Sequence, residues 1–296
     1  MQSTPLSAAD LRQKLNLLST AEQDVVIEQL RQKTYDGSMM EFGRPALEMA
    51  KALLPLATAY SIAPISGFQV GAIAIGASGQ LYLGANMEFV GVPLSASLHA
   101  EQSAVLNAWM HGESRIEALV ISEAPCGHCR QFLWELSKAA QLKIVVGEQT
   151  TNLPELFPLP FGKPRQTGEG LLDSPPIALQ PLRPITGDAA QRALEAAQQS
   201  YAPYTQTPAG VFIECTNGSS FAGRTAESIA FNPTVPALTC ALNQRNLSHS
   251  RNEPIGTCTH AKLATSPSSQ SEFSESVLSR LTHVAITTVL MEPRYS

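Results

Sequence analysis

From Phe68 onward the chain alternates apolar runs with turn formers. Phe68 to Ile75 and Gln80 to Asn86 flank Ala77-Ser78-Gly79 and predict a pair of strands. Apolar residues at helical spacing from Leu98 through Trp109 predict a helix, and Ile116 to Ser122 predicts a strand. Cys126 to Lys138, with Phe132, Leu133 and Leu136 as its apolar face, predicts a second helix, and Leu142 to Gly147 a further strand. The order ββαβαβ implies helices packed on a mixed sheet, an α/β class. The first forty or so residues read as helical, with Ser7-x-x-Asp10 and Thr20-x-x-Gln23 resembling capping boxes. Between Thr151 and Pro184 lie eight of the twenty-one prolines, which predicts an extended connector with Phe157 and Phe161 as candidate anchors.

Beyond the connector the chain reads as a degraded second copy of the part before it. Ala63-Pro64, Gly71, Gly84 and Glu88 recur at a constant offset of 139 as Ala202-Pro203, Gly210, Gly223 and Glu227. At that offset His99 and Glu101 fall opposite Leu238 and Cys240. With a shift of three more residues, Pro125-Cys126-Gly127-His128-Cys129 falls opposite Pro267-Ser268-Ser269-Gln270-Ser271, and Leu142-Lys143-Ile144 opposite Val284-Ala285-Ile286. Two domains of the same strand and helix order would share some Gly and Pro by chance. The ungapped run and the aligned serine segment favour duplication.

The chemistry concentrates in the first copy. His99-Ala100-Glu101 and, 25 residues further on, Pro125-Cys126-Gly127-His128-Cys129 offer one imidazole, two thiols and a non-ligating acid. One histidine and two thiolates leave a fourth tetrahedral position for water, as catalytic zinc requires. A lone C-x-x-C is also read as a redox pair or half of a structural zinc knuckle. A knuckle needs a second pair of ligands, and Cys215, Cys240 and Cys258 are scattered singly. His128 is a rival ligand, but neighbours on a helix point in different directions. Thiolates at a helix N-terminus are favoured by the macrodipole, and a spacing of three puts both on one side. His99 and Glu101, two apart, diverge by about 200° on a helix. They converge on one metal only if it sits off the helix end, with two helix N-termini facing it. The H-x-E and P-C-x-x-C pairing matches the signature of zinc nucleobase deaminases, a match and not a derivation from spacing.

Composition narrows the class. A net charge of −5 and 6% aromatic residues argue against a polynucleotide substrate, which needs clustered Lys and Arg with interleaved aromatics. No apolar run approaches the roughly 20 residues that span a bilayer. Met1-Gln2-Ser3-Thr4-Pro5 lacks a basic region leading into an apolar core. Five cysteines, two of them committed to metal, suit a reducing compartment, so the expectation is a cytoplasmic protein.

Over nearly its whole length the sequence closely resembles the two-copy, homodimeric bacterial cytidine deaminases. The resemblance is carried by Ser66-Gly67-Phe68-Gln69-Val70-Gly71-Ala72, Gly84-Ala85-Asn86-Met87-Glu88-Phe89, His99 to Ala104, Pro125 to Gln131 and, in the second copy, Ala226-Glu227 with Ala230-Phe231-Asn232-Pro233. It implies two tandem αβα sandwiches with mixed sheets plus a small N-terminal helical segment. The division expected is a helical segment over 1–46, a catalytic zinc domain over 47–150, a Pro-rich connector over 151–184 and a degenerate, non-catalytic deaminase-like domain over 185–296. One Zn2+ per chain would be held by His99, Cys126 and Cys129, with Glu101 as the acid-base catalyst. By the same resemblance Asn86 and Glu88 hold the ribose 3′-hydroxyl with the Met87 backbone between them. Phe68 would flank the base, and Phe231 of a partner subunit would close the pocket; core packing is the competing reading for both phenylalanines. The implied activity is zinc-dependent hydrolysis of cytidine and 2′-deoxycytidine to uridine and 2′-deoxyuridine with release of ammonia, in pyrimidine salvage. The implied partners are a small nucleoside and a second copy of the chain, with no nucleic acid and no membrane. An RNA- or DNA-editing zinc enzyme and a non-catalytic binding module are the readings from other classes.

Overall fold

The structure, a computed structural model, describes residues 7–39 and 43–294; Met1 to Pro5 and the end of the chain lie outside them. Helices α1 (Ala8–Lys14) and α2 (Thr20–Arg31) come first, then strand β1 (Ser38–Met39), helix α3 (Ala46–Thr58) and the strand pair β2 (Gly71–Gly76) and β3 (Leu81–Ala85). Helix α4 (Ala100–Met110), β4 (Ile116–Ile121), α5 (Gly127–Leu133), β5 (Lys143–Val146), β6 (Gln149–Asn152) and the single turn α6 (Leu153–Leu156) come next. The second copy runs β7 (Leu179–Pro181), α7 (Asp188–Gln198), β8 (Ala209–Cys215), β9 (Ser220–Arg224), α8 (Ala237–Leu247), β10 (Ile255–Leu263), α9 (Ser271–Leu281) and β11 (Ile286–Pro293).

Two mixed sheets result, ordered β1-β3-β2-β4-β5-β6 and β7-β11-β10-β8-β9. Each has one parallel pair, β4 with β5 and β10 with β11, and the rest are antiparallel. In the first copy α3 covers one face, burying Met49, Ala50, Leu53, Leu56 and Ala57 at helical spacing, while α4 and α5 cover the other. In the second copy α7 takes the outer face and α8 with α9 the inner. The chain is therefore α/β with two tandem αβα sandwiches and a small helical N-terminus. The inner layers meet: one hydrophobic core runs without interruption from Leu106 and Phe132 of the first copy to Leu238 and Val277 of the second.

Strand registers confirm the duplication and correct its alignment. Ala72 pairs with Ile121 as Val211 pairs with His260, and Leu119 pairs with Ile144 as Cys258 pairs with Ile286, so both offsets read from the sequence hold in the sheets. Gly84 lies against the backbone of Ala100 and Ala104, and Gly223 against Ala237 and Ala241; a Cβ at either would sit within 2.6 Å of those backbone atoms. Only glycine allows such a helix to lie this close to its strand. The helix offset is thus 137. His99 stands opposite Pro236 and Glu101 opposite Leu238, not opposite Leu238 and Cys240.

Other expectations shift locally. The second capping box is Ser19 with Glu22, not Thr20 with Gln23: Ser19 Oγ accepts from the Glu22 amide, and the Glu22 carboxylate accepts from the Ser19 amide at 2.7 Å. Helix α5 ends at Leu133, short of Lys138, because the connector intervenes: the Leu171 amide donates to the Glu135 carbonyl, and Gly170 lies against Ser137. The connector is more than an extended tether, since β6 and β7 at its two ends supply the outer edge strand of each sheet. Phe157 packs against the main core, whereas the Phe161 side chain is exposed and only its backbone is held, by the Gln131 amide group.

Candidate metal and nucleoside site

Helices α4 and α5 begin beside each other, with His99 and Cys126 as their N-cap residues. This is the arrangement in which His99 and Glu101 can serve one centre, with the metal off the helix ends. The ligand atoms of His99, Cys126 and Cys129 all lie within 4.8 Å of one another, and this is the group of His, Cys, Asp and Glu among the described residues that could hold a metal ion. His128 does not join it. Its ring stacks on that of His99, with centroids 4.9 Å apart and 24° between planes.

The electrostatics fit a dication. A hydrogen bond with Cys129, aided by the neighbouring His99, takes the Cys126 thiol down to about 3. Burial holds the Cys129 thiol well above its ordinary value, and its hydrogen bond with Cys126 adds to this. Contact with Cys126, 3.4 Å away, raises the His99 imidazole. Burial also raises the Glu101 carboxyl, which is 4% exposed. Two sulfurs, an imidazole and an oriented pair of helix N-termini form a donor set for zinc, and a dication among them favours both thiols as thiolates. All five cysteines are free.

A cavity of about 480 Å³ opens beside this group, lined by Phe68, Asn86, Glu88, His99, Glu101 and Cys126 among others. Phe68 is 56% exposed at its rim, so it is not a core residue. Met87 is buried behind it, its backbone paired in both directions with Leu98. The loop before β2 is tied down by two side chains. Glu88 accepts from the Ile65 and Ser66 amides at 2.8 and 3.1 Å and from Ser66 Oγ at 2.5 Å. Burial pushes its carboxyl up, but these hydrogen bonds outweigh it and hold the group below the ordinary glutamate range. Asn86 Oδ1 accepts from Ser61 Oγ and the Val70 amide, and Nδ2 donates to the Phe68 carbonyl. Leu94 and Glu123 also line the cavity. Neither stands out in the sequence, because one sits on a single 3-10 turn and the other in a loop without periodicity.

Phe231 does not line this cavity in its own chain. It is 60% exposed and has φ +58°, a conformation costly for an aromatic residue. The segment around it is fixed from several sides: Glu135 accepts from the Ile229 amide, Thr234 Oγ1 from the Ser228 amide, and the Pro233 carbonyl from Gln102 Nε2 on α4.

The chain is similar to known proteins. The family described as the cytidine and deoxycytidylate deaminase zinc-binding region matches residues 46–146 and again residues 168–274. Cytidine deaminases of Yersinia pestis (strain Pestoides F) and Yersinia pseudotuberculosis serotype O:1b (strain IP 31758) are each 47% identical over 203 residues, covering 67% of this chain and 68% of theirs. A crystal structure of cytidine deaminase from Mycobacterium tuberculosis, 31% identical, covers 40% of this chain and 98% of that one with a TM-score of 0.37.

Proposed function

The chain belongs to the cytidine and deoxycytidylate deaminase family, and from that premise we propose a role for each residue around its metal. It is a zinc-dependent hydrolase that deaminates cytidine to uridine and releases ammonia. The observation that carries the assignment of residues is the His99, Cys126 and Cys129 group at two helix N-termini, with buried Glu101 beside it and a nucleoside-sized cavity in front.

In this reading His99, Cys126 and Cys129 would hold one zinc per chain, and the metal when bound would supply Lewis-acid activation of the attacking water. Glu101 moves the protons. Its carboxylate takes a proton from the attacking water and delivers it to N3 of the cytosine ring as the water oxygen bonds to C4. The remaining hydroxyl proton then passes to the exocyclic nitrogen, the C4–N bond breaks, and ammonia leaves. Burial suits Glu101 to this exchange, because a raised carboxyl pKa lies nearer the working pH.

Hydrogen-bond capacity supports Asn86 and Glu88 as the ribose site. A carboxylate has about four acceptor positions, and three on Glu88 are taken by the Ile65–Ser66 loop. The Asn86 amide has two N–H groups, and one is taken by the Phe68 carbonyl. One acceptor and one donor remain, which matches a single hydroxyl such as the ribose 3′-OH. The same pair serves 2′-deoxycytidine, since neither group depends on the 2′-position. Phe68 at the rim stacks against the base.

The exposed, strained but well-fastened Phe231 supports a homodimer in which each subunit lends this ring to its partner's cavity. Residues 47–150 form the catalytic unit, 185–296 the scaffold copy, 151–184 the connector and 1–46 an accessory helical segment. Among the described residues no helix is long and apolar enough to cross a membrane. With five free cysteines and a nucleoside substrate, this supports a cytoplasmic enzyme of pyrimidine salvage.

The test compares cytidine, cytidine 3′-monophosphate, free cytosine and a short cytosine-containing oligonucleotide by absorbance, with metal content and sedimentation measured on the same sample. Fast turnover of cytidine alone is expected, on a zinc-loaded dimer. A 3′-phosphate would set an anion against Glu88, and cytosine lacks the sugar whose binding positions C4. Comparable rates on the oligonucleotide would overturn the nucleoside reading in favour of an editing enzyme.

A further inference from the structure

The second copy retains a cavity where the first has its catalytic one, and the two differ in charge. This cavity, about 250 Å³, lies on the inner face of the second sheet. Thr207 and Ala209 line it where the offset of 139 places Phe68 and Val70 in the first copy. A buried water needs only roughly 10–15 Å³ of such space, so the cavity has room for a small molecule. The catalytic cavity is lined by three carboxylates, Glu88, Glu101 and Glu123. The second cavity is lined by none, and Lys262 stands where Glu123 stands in the first. Besides Thr207, its polar lining is His260, Lys262, Ser266, Ser268, Ser269 and Gln270.

His260 is the telling residue. It is 2% exposed on β10, and its Nε2 is buried without a hydrogen-bond partner among the described residues. An unpaired buried polar atom is costly, so a group that pairs with it is favoured. Burial, with Lys262 nearby, takes the imidazole down to about 4, so it is neutral at pH 7 and still able to donate from Nε2. Lys262 Nζ lies 2.5 Å from Ser271 Oγ at the start of the eleven-residue helix α9, which places a cation and a positive helix end at the same cavity. A lysine, a neutral imidazole, serine hydroxyls and no acid are complementary to several anionic oxygens.

We propose that this cavity of the catalytically silent copy binds an oxyanion, either free phosphate or the phosphate of a mononucleotide, held by Lys262, His260 and the hydroxyls of the 266–269 loop. The site is separate from the zinc centre and does not depend on the roles assigned there.

The experiment uses the full zinc-loaded protein with its catalytic cavities saturated with uridine and its histidines labelled with nitrogen-15. Inorganic phosphate and cytidine 5′-monophosphate are titrated separately, with sodium chloride at matched ionic strength as control, and the His260 signal is assigned by H260Q. Saturable movement of that signal by phosphate or nucleotide is expected, but not by chloride. K262M, which keeps the side-chain stem, should weaken the binding roughly 10-fold or more through loss of a charge-assisted hydrogen bond, with kcat and KM for cytidine unchanged. Equal affinities for the two probes assign a free-phosphate site, and tighter binding of the nucleotide assigns a mononucleotide site. No movement, movement reproduced by chloride, or binding indifferent to K262M overturns the proposal.

Discussion

The two copies solve the same folding problem and differ in what they place where two helices begin. In the first, His99, Cys126, Cys129 and Glu101 converge there. In the second, the start of α8 is Pro236, and the Ala237 amide donates to Gln270 Oε1 while Gln270 Nε2 donates to Thr225 Oγ1. A neutral side-chain amide satisfies the helix end whose counterpart in the first copy faces the candidate metal ligands. The glutamate of the loop is kept in both. Glu227 accepts from the Tyr204 and Thr205 amides as Glu88 does from those of Ile65 and Ser66. Its first task is therefore to hold the loop, and the substrate binding proposed for Glu88 would be laid over that task.

The largest effect expected is at the ligands. Cys126→Ala or Cys129→Ala should take zinc from one per chain to none and reduce turnover to background, as read by metal analysis beside the absorbance assay. Two tightly held zincs per wild-type chain would remove the contrast between the copies, because Ser268 and Ser271 offer only neutral hydroxyls. Glu101→Ala should separate chemistry from metal binding: zinc stays at one per chain while kcat falls about 10² to 10⁴-fold. Loss of zinc from this variant would show that Glu101 is a ligand.

Sequence reading goes far for the catalytic copy and less far for its counterpart. His99, Glu101 and the two cysteines are legible because their chemistry is unusual at that spacing. Helix α3 is not, because Pro55 interrupts its pattern and its N-cap is Pro45, without a capping side chain. Strand β1 is two residues long, and β6 is the polar segment Gln149–Asn152, so neither carries an apolar signature. The pairing of His99 with Pro236 was hidden by two residues lost between Glu227 and α8, because no Gly or Pro of that stretch recurs in the other copy at either offset. Gln270 looks like an ordinary loop residue until the structure places its amide against α8.

A smaller change should appear at the shared glutamate. If Glu88 is the proposed ribose acceptor, Glu88→Ala removes a charged hydrogen-bond partner, a loss of about 1.5–3 kcal/mol, so kcat/KM for cytidine should fall roughly 10 to 150-fold. The decrease should be much less for cytosine, which has no ribose; equal decreases would confine Glu88 to loop anchoring, as in the second copy. Gln270→Ala should do the reverse. Zinc content and kcat should be unchanged, while stability falls by about 1 kcal/mol, a Tm lower by roughly 2 °C. Loss of zinc from the Gln270 variant would mean that the two helix ends are not independent.

The smallest effect concerns a contact found at the end of α4. His111 Nε2 lies 2.9 Å from the Asp36 carboxylate, and its Nδ1 faces the Asn107 carbonyl at 2.8 Å. Burial lowers the imidazole pKa, but the bond to Asp36 outweighs it and the net shift is upward from 6.5. For Asp36, burial is likewise outweighed by His111, and the net shift is downward from 3.8. A raised histidine stabilises the fold fully below its unfolded pKa and loses that contribution as pH rises through the folded value. A depressed aspartate contributes above its unfolded pKa and loses this as pH falls. The pair is therefore most stabilising between those two ordinary values. Tm should decline above neutral pH in the wild type and decline less in His111→Gln; parallel pH profiles would dismiss the contact as a stabilising pair.

The core that passes from Leu106 and Phe132 to Leu238 and Val277 does not divide where the chain repeats itself. Ser103 and Asn243 are joined by two hydrogen bonds across it, and Arg224 stacks over the Trp109 ring at 3.9 Å. Loosening either copy exposes apolar surface of the other, so the two open as one cooperative unit. A destabilising substitution in the silent half then lowers the number of working zinc centres in a cell as surely as one near His99, by lowering the folded fraction. The half of the chain that lacks the His99, Cys126 and Cys129 group is not the half that tolerates mutation.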